Sequence, residues 1–165
     1  MRKVLMTALA IGALFMGTTA WAQQPAAPPA PPPYGTPITL EQAMKVATAA
    51  QEEAKKNNWT GAIAVVEPSG ALVYYLRMDG AQYASFKIAE NKAITAAVYR
   101  RPSKAFQDRL GQNDFSLLTL GQGLVASEGG IPIVVGGKII GAVGASGGTS
   151  AQDGQVAQAG AAVLK

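Results

Sequence analysis

The amino-acid sequence predicts an α+β sandwich, an antiparallel sheet flanked by helices, with the element order α-β-β-α-α-β-β-α. Three observations carry that prediction. Two pairs of short apolar runs are each joined by a glycine-bearing turn, the mark of hairpins and so of antiparallel pairing. Segments with helical spacing lie before, between and after those pairs. The chain is 48% apolar over 165 residues with a mean hydropathy of +0.14, which suits one packed core and not a disordered tail.

Thr39-Leu-Glu-Gln42 is a capping box, in which the Thr hydroxyl accepts the Gln42 amide while the Gln side chain reaches back. Ala43, Val46, Ala47 and Ala50 follow at helical spacing, and Glu52, Glu53, Lys55 and Lys56 form the wet side. Asn57-Asn58 and Gly61 end this first helix. Strands are expected over Ala62 to Glu67 and Leu72 to Met78, around a Pro68-Ser-Gly70 turn whose Gly supplies the positive φ. After Asp79-Gly80, Ala81 to Arg100 reads as a long alanine-rich helix that can approach a sheet closely, and Pro102 stops it. Ser103 to Leu110 makes a shorter helix. Asp114 to Val125 has no clear period, and an extra short strand is expected near Leu124. Ile131 to Val135 and Lys138 to Ala145 form a second hairpin about Gly136-Gly137, and Ser150-Ala-Gln-Asp153 caps a final helix running to Val163. A sheet with one apolar face needs helices to cover it, which makes this a sandwich of the profilin or roadblock kind.

The chain opens on an address. Met1-Arg2-Lys3 is basic, Val4 to Gly17 is apolar and uncharged, and Ala20-Trp21-Ala22 sets small residues at −3 and −1 of a cleavage site. Residues 1–22 are therefore expected to be a signal peptide cut near Ala22, giving a periplasmic or secreted protein with no stable membrane span after cleavage. Residues 23–37 hold seven of the ten prolines and are expected to be a polyproline II linker outside any ladder. The domain proper is 38–165.

Composition excludes much chemistry. With no His and no Cys there is no Ser-His-Asp triad, Cys nucleophile, zinc finger, thiolate cluster or disulfide. A net charge of +4, reduced by two once Arg2 and Lys3 are removed, is no nucleic-acid footprint. No residues complete a set of nucleophile, base and oxyanion donors, so binding is favoured over catalysis. The Gly141-x-x-Gly144-x-x-Gly147-Gly148 run has neither dinucleotide nor P-loop spacing. It serves either close packing or, through amides at the start of the last helix, an anion.

The residues Arg77-Met-Asp-Gly-Ala81, Ser85-x-x-x-Ala89-x-x-Lys92-Ala93-x-Thr95-Ala96, Gly129-Gly-Ile-Pro-Ile133, Gly137-Lys-Ile-Ile-Gly141 and Gly144-Ala-Ser-Gly-Gly148 occur in that order, with Gln152-Asp153 close behind. Together they resemble the GlcG/HbpS-like haem-binding family, which includes the C-terminal domain of PduO-type corrinoid adenosyltransferases. The resemblance covers Ile38 to Lys165. It implies homo-oligomers from dimer to octamer, haem or a corrinoid as ligand in some members, and a sensor protein as partner of some exported ones.

The same resemblance puts a pocket near the end of the second strand, the following helix and the Ser-Gly-Gly turn. That selects Arg77, Met78, Asp79, Tyr83, Ser85, Lys92, Ser146 and Gly147. Arg77 suits a propionate or small carboxylate, unless Asp79 neutralises it. Lys92 shares a helical stripe with Ser85, Ile88, Ala96 and Tyr99, where it either meets an anion or snorkels to water. Haem members that coordinate iron through His cannot be copied here, which leaves Tyr83 and Met78, then Tyr99, as axial candidates. Arg100-Arg101, Lys104 and Arg109 form a basic cluster, either steering an anion or simply solvated. The small-molecule ligand is expected in a cation-edged hollow between the sheet and the alanine-rich helix. A small organic acid held by Arg77, Lys92 and the helix-start amides is the alternative guest, and an enzyme of small-acid metabolism acting through Lys92 or Asp79 is a third reading.

Overall fold

The computed structural model describes residues 29–121 and 123–164. The proposed signal peptide and the first part of the linker lie outside the described residues.

The strands form because β-branched and small apolar residues alternate across a sheet covered on both sides. β1 (Ala62–Val66) and β2 (Leu72–Arg77) make the first hairpin, β3 (Gly130–Val135) and β4 (Lys138–Ser146) the second. β1 and β4 pair antiparallel at the centre, from Ala62 opposite Ser146 to Val66 opposite Ala142, which gives the order β2-β1-β4-β3. Gly70 takes φ +94° in the first turn, the conformation its position called for.

α1 (Leu40–Lys56) begins at the predicted capping box: Gln42 N–H donates to Thr39 Oγ1 at 3.3 Å and Thr39 N–H to Gln42 Oε1 at 3.0 Å. α1 and α4 (Ser150–Ala161) cover one face of the sheet, where Val46, Ile63, Val65, Val143 and Val156 are buried together. α2 (Ser85–Val98) covers the other, with Ala89, Ala93, Ala96 and Ala97 against Ala62, Ala64 and Ala142. α3 (Lys104–Gly111) follows, then a short 3-10 helix at Phe115–Thr119.

Four expectations need correction. α2 starts at Ser85 and not Ala81, because Ala81 N–H bonds back to Met78 O and Ser85 N–H to Gln82 O in successive turns before the helix. No strand forms at Leu124, where the chain turns and bends. The last helix is capped by Thr149 and not Ser150: Thr149 and Gln152 make a second capping box, and the helix ends at Ala161. The end of the proline-rich stretch does join the sheet. Gly35 N–H donates to Ile139 O at 2.8 Å, Ile139 N–H to Pro33 O at 2.9 Å and Ile38 N–H to Ile140 O at 2.7 Å, beside the part of β4 that extends past β1. Proline removes a donor but not its carbonyl, and Pro33 uses that carbonyl.

Candidate functional site at the end of the sheet

β2 ends at Arg77, and Met78 and Asp79 follow it. Thr60, just before β1, donates its hydroxyl to the Asp79 carbonyl at 2.7 Å and so ties the two segments together. The last turns of α1 bring Gln51 and Lys55, four residues apart and hence on one helix face. These six residues line an open groove of about 370 Å³. The Arg77 guanidinium carbon lies 5.8 Å from the Tyr83 ring centroid, and Tyr83 is 89% exposed. Among the described residues Asp79 forms no ion pair with Arg77, so the rim of the groove keeps its positive charge. Met78 is half-buried and also lines a small cavity of about 20 Å³ with Trp59, Ser146 and Gly147. That space holds little more than one water.

Six of the eight predicted residues therefore gather at this end of the molecule, with Ser146 and Gly147 behind Met78 and Tyr83 outside Arg77. Ser146 is itself buried. Ser85 and Lys92 do not reach the groove. Ser85 opens α2 fully buried, with its hydroxyl unpartnered among the described residues. Tyr99 is engaged elsewhere, edge-on to Phe106 and donating to Leu120 O at 2.8 Å.

Lys92 is only 2% exposed, and its Nζ lies 2.7 Å from Asp153 Oδ2. Asp153 Oδ1 accepts the N–H of Gly147 at 2.9 Å and of Gly148 at 3.0 Å. The anion cradle expected at the start of the last helix thus exists and is filled from within: Asp153 supplies the carboxylate. Lys92 comes from α2 and Asp153 from α4, on opposite faces of the sheet, and they meet beside Gly129. A Cβ there would stand 2.9 Å from both Lys92 Nζ and the Asp153 Cβ, and its φ is +129°. A small acid held jointly by Arg77, Lys92 and those amides is consequently not what this arrangement offers. Nor is there a hollow beneath the alanine-rich helix: a Cβ on Gly144 would lie 2.0 Å from Ala89 O.

Sequence reasoning missed Gln51, Lys55 and Thr60, whose relevance depends on where α1 ends in space. Asp153 carried a usable signal, since a Lys amid apolar neighbours requires a nearby carboxylate if it is buried.

The match to a family model spans residues 38–162, and the family is described as haem degrading protein HbpS-like. The chain belongs to the HbpS-like family. Protein GlcG of Escherichia coli strain K12 is 46% identical over 109 residues, 66% of this chain and 81% of that protein. An uncharacterized 15.0 kDa protein of Citrobacter freundii, from a dhaT-dhaS intergenic region, is 40% identical over 119 residues, 70% of this chain and 84% of its own length. Among solved structures, a double mutant of Streptomyces reticuli HbpS is 33% identical with a TM-score of 0.73, covering 90% of this chain and 98% of that one. A complex of PduOC with heme is 25% identical with a TM-score of 0.73, covering 79% and 96%.

The donor set of this HbpS-like chain fits a tetrapyrrole in one particular manner. Phenol oxygen and thioether are the iron-ligating side-chain types that a sequence without His and Cys retains; Met78 lines the groove, and Tyr83 stands outside it beside Arg77. Arg77 and Lys55 suit two carboxylates of one guest. The groove is open, so a macrocycle would be held by its face and edge and not enclosed.

Proposed function

We propose that this protein is an exported binder of haem or a related tetrapyrrole, held at the end of β2. The observation that carries the reading is the pairing of two unneutralised cations, Arg77 and Lys55, around the half-buried Met78 thioether. The family description and the heme complex of a structural neighbour support it. In this reading Arg77 and Lys55 meet the propionates, and Tyr83 or Met78 stands at the metal, which would supply whatever redox response the bound group has. Export to the periplasm or medium follows from the proposed signal peptide, and among the described residues no helix is long and apolar enough to cross a membrane. Homo-oligomers and a sensor partner belong to the same proposal.

Titration of hemin into the purified protein tests it. A Soret shift with quenching of Trp59, the remaining tryptophan after cleavage, is expected at micromolar hemin, and Arg77→Ala should weaken both at least tenfold. Absence of both signals in the unmodified protein sinks the reading. The family description favours a second one, haem breakdown; a Soret band that bleaches with reductant and dioxygen would select it, whereas a binder keeps its band.

A further inference from the structure

α2 ends in a turn that ordinarily selects glycine. Arg100 N–H bonds to Ala97 O at 3.2 Å and Arg101 N–H to Ala96 O at 3.3 Å, the paired bonds of a Schellman motif, and Arg100 takes φ 55°. Glycine is the usual residue there because a Cβ strains the left-handed conformation. Among the described residues the other non-glycine positions of this kind are Asn58 and Asn113, a residue type that tolerates it. Arg100 has no such excuse, so its side chain is placed there against local preference.

The surroundings supply a reason. Tyr34 donates its hydroxyl to the carbonyls of Ala97 at 3.1 Å and Val98 at 3.0 Å, which pins the proline-rich segment to the end of α2. The Arg100 guanidinium carbon sits 5.5 Å from the Tyr34 ring centroid. Between Pro29–Pro32, the α2–α3 junction and β3 runs a groove of about 760 Å³, lined by Arg100, Arg101, Ala105, Ile131, Val134 and Ile139 among others. Of the basic cluster that stood out in the sequence, Lys104 is paired with Asp108 at 2.6 Å and Arg109 with Asp114 at 2.7 Å. Among the described residues neither Arg100 nor Arg101 is in an ion pair. Arg101 donates its Nε–H to Tyr99 O at 3.1 Å and its guanidinium carbon lies 6.0 Å from the Phe106 ring centroid, so both groups are positioned by neutral partners. The groove thus joins aliphatic lining to two guanidinium groups that no carboxylate neutralises among the described residues, within the size range of ligand sites.

We propose that this groove binds an aliphatic carboxylate, its chain along the prolines and branched side chains and its head group between Arg100 and Arg101. The site is separate from the groove at the end of β2 and does not depend on the tetrapyrrole reading.

Calorimetric titration of the full chain with dodecanoate, dodecanol and acetate tests it. Dodecanoate should bind in the micromolar range, dodecanol at least tenfold more weakly, and acetate without measurable heat. Arg100→Gly should lower dodecanoate affinity at least tenfold while leaving the denaturation midpoint unchanged or higher, since glycine suits the turn. Hemin binding should be unaffected by that variant. No heat with dodecanoate, equal binding of the alcohol, or an affinity untouched by Arg100→Gly would each overturn the proposal. A lowered midpoint in that variant would do so too, assigning the arginine to the fold. So would loss of hemin binding, or a dimer in sedimentation that Arg100→Gly dissociates, since either would give the groove a different occupant.

Discussion

The two faces of the sheet are packed on opposite principles. Toward α2, the contact is made by Ala62, Ala64 and Ala142 against Ala89, Ala93, Ala96 and Ala97, with Gly144 almost touching the helix backbone. Toward α1 and α4, Ile63, Val65, Ile133 and Val143 interlock with Val46 and Val156. A face of small residues gains its stability from close approach and leaves no volume for a guest. A face of branched residues holds its helices farther off, and it is at the end of that layer, where α1 stops beside β2, that a groove opens. The lesson is that alanine-rich packing beneath a helix argues against a binding hollow, even when a lysine sits in the stripe.

Among the salt bridges of the described residues, that of Lys92 with Asp153 is the one that links the two layers, so its loss should have the largest effect. Lys92→Met leaves Asp153 buried with an uncompensated charge, and removal of one partner of such a pair costs about 3–5 kcal/mol. Urea unfolding followed by circular dichroism measures it. Adding Asp153→Asn to that variant neutralises the site while keeping an acceptor for the Gly147 and Gly148 amides, so the double variant should be more stable than Lys92→Met alone. If the single variant is as stable as the parent, the ion pair is not the clamp between layers.

The faces themselves can be set against each other with one methyl group each. Gly144→Ala puts a Cβ 2.0 Å from the Ala89 carbonyl and 2.6 Å from Ala93 N, backbone atoms that cannot rotate away. Overpacking of this kind costs about 1–3 kcal/mol and occasionally more. Ile63→Val removes a methylene from the opposite face, where about 0.5–1.5 kcal/mol is expected. Denaturation midpoints of the two variants rank them, and the contrast between the faces fails if Ile63→Val is the more damaging.

Much of the fold was legible because its signals are local. The Thr39-Gln42 capping box, the Gly70 turn and both hairpins depend on residues a few positions apart. What could not be read is what depends on distant pairing. Nothing near Pro33 announces that its carbonyl meets Ile139, and nothing near Lys92 fixes which carboxylate it finds 61 positions away. The site divides in the same manner. Arg77, Met78 and Asp79 are contiguous and were placed together, while Lys55 and Gln51 join them only through the packing of α1. Local reasoning also named Ser150 as the cap, where Thr-Ser-Ala-Gln satisfies the capping pattern one residue earlier and the geometry decides for Thr149.

The smallest effect should come from the contact between the two helices of the branched face. Gln155 Nε2 donates to Glu53 Oε1 at 2.6 Å, joining α4 to α1, and Asn57 Nδ2 donates to the same oxygen at 3.0 Å. The Gln155 hydrogen bond foremost, then that of Asn57, lowers the Glu53 pKa below its ordinary value of 4.5. A carboxyl whose pKa is depressed on folding contributes stability at pH values above the ordinary value, and loses it as the pH falls through the lowered one. Thermal unfolding scanned downward from neutral pH should therefore show an acid-side decline that is shallower in Glu53→Gln, because the amide accepts the same bonds without titrating. The two proteins should differ least in slope above pH 6, where Glu53 is ionised whether the chain is folded or not. Parallel curves down to pH 3 would mean that this contact closes the helix pair without any charge-dependent stabilisation, and that apolar packing such as that of Val46, Ala50, Val156 and Gly160 holds α1 to α4.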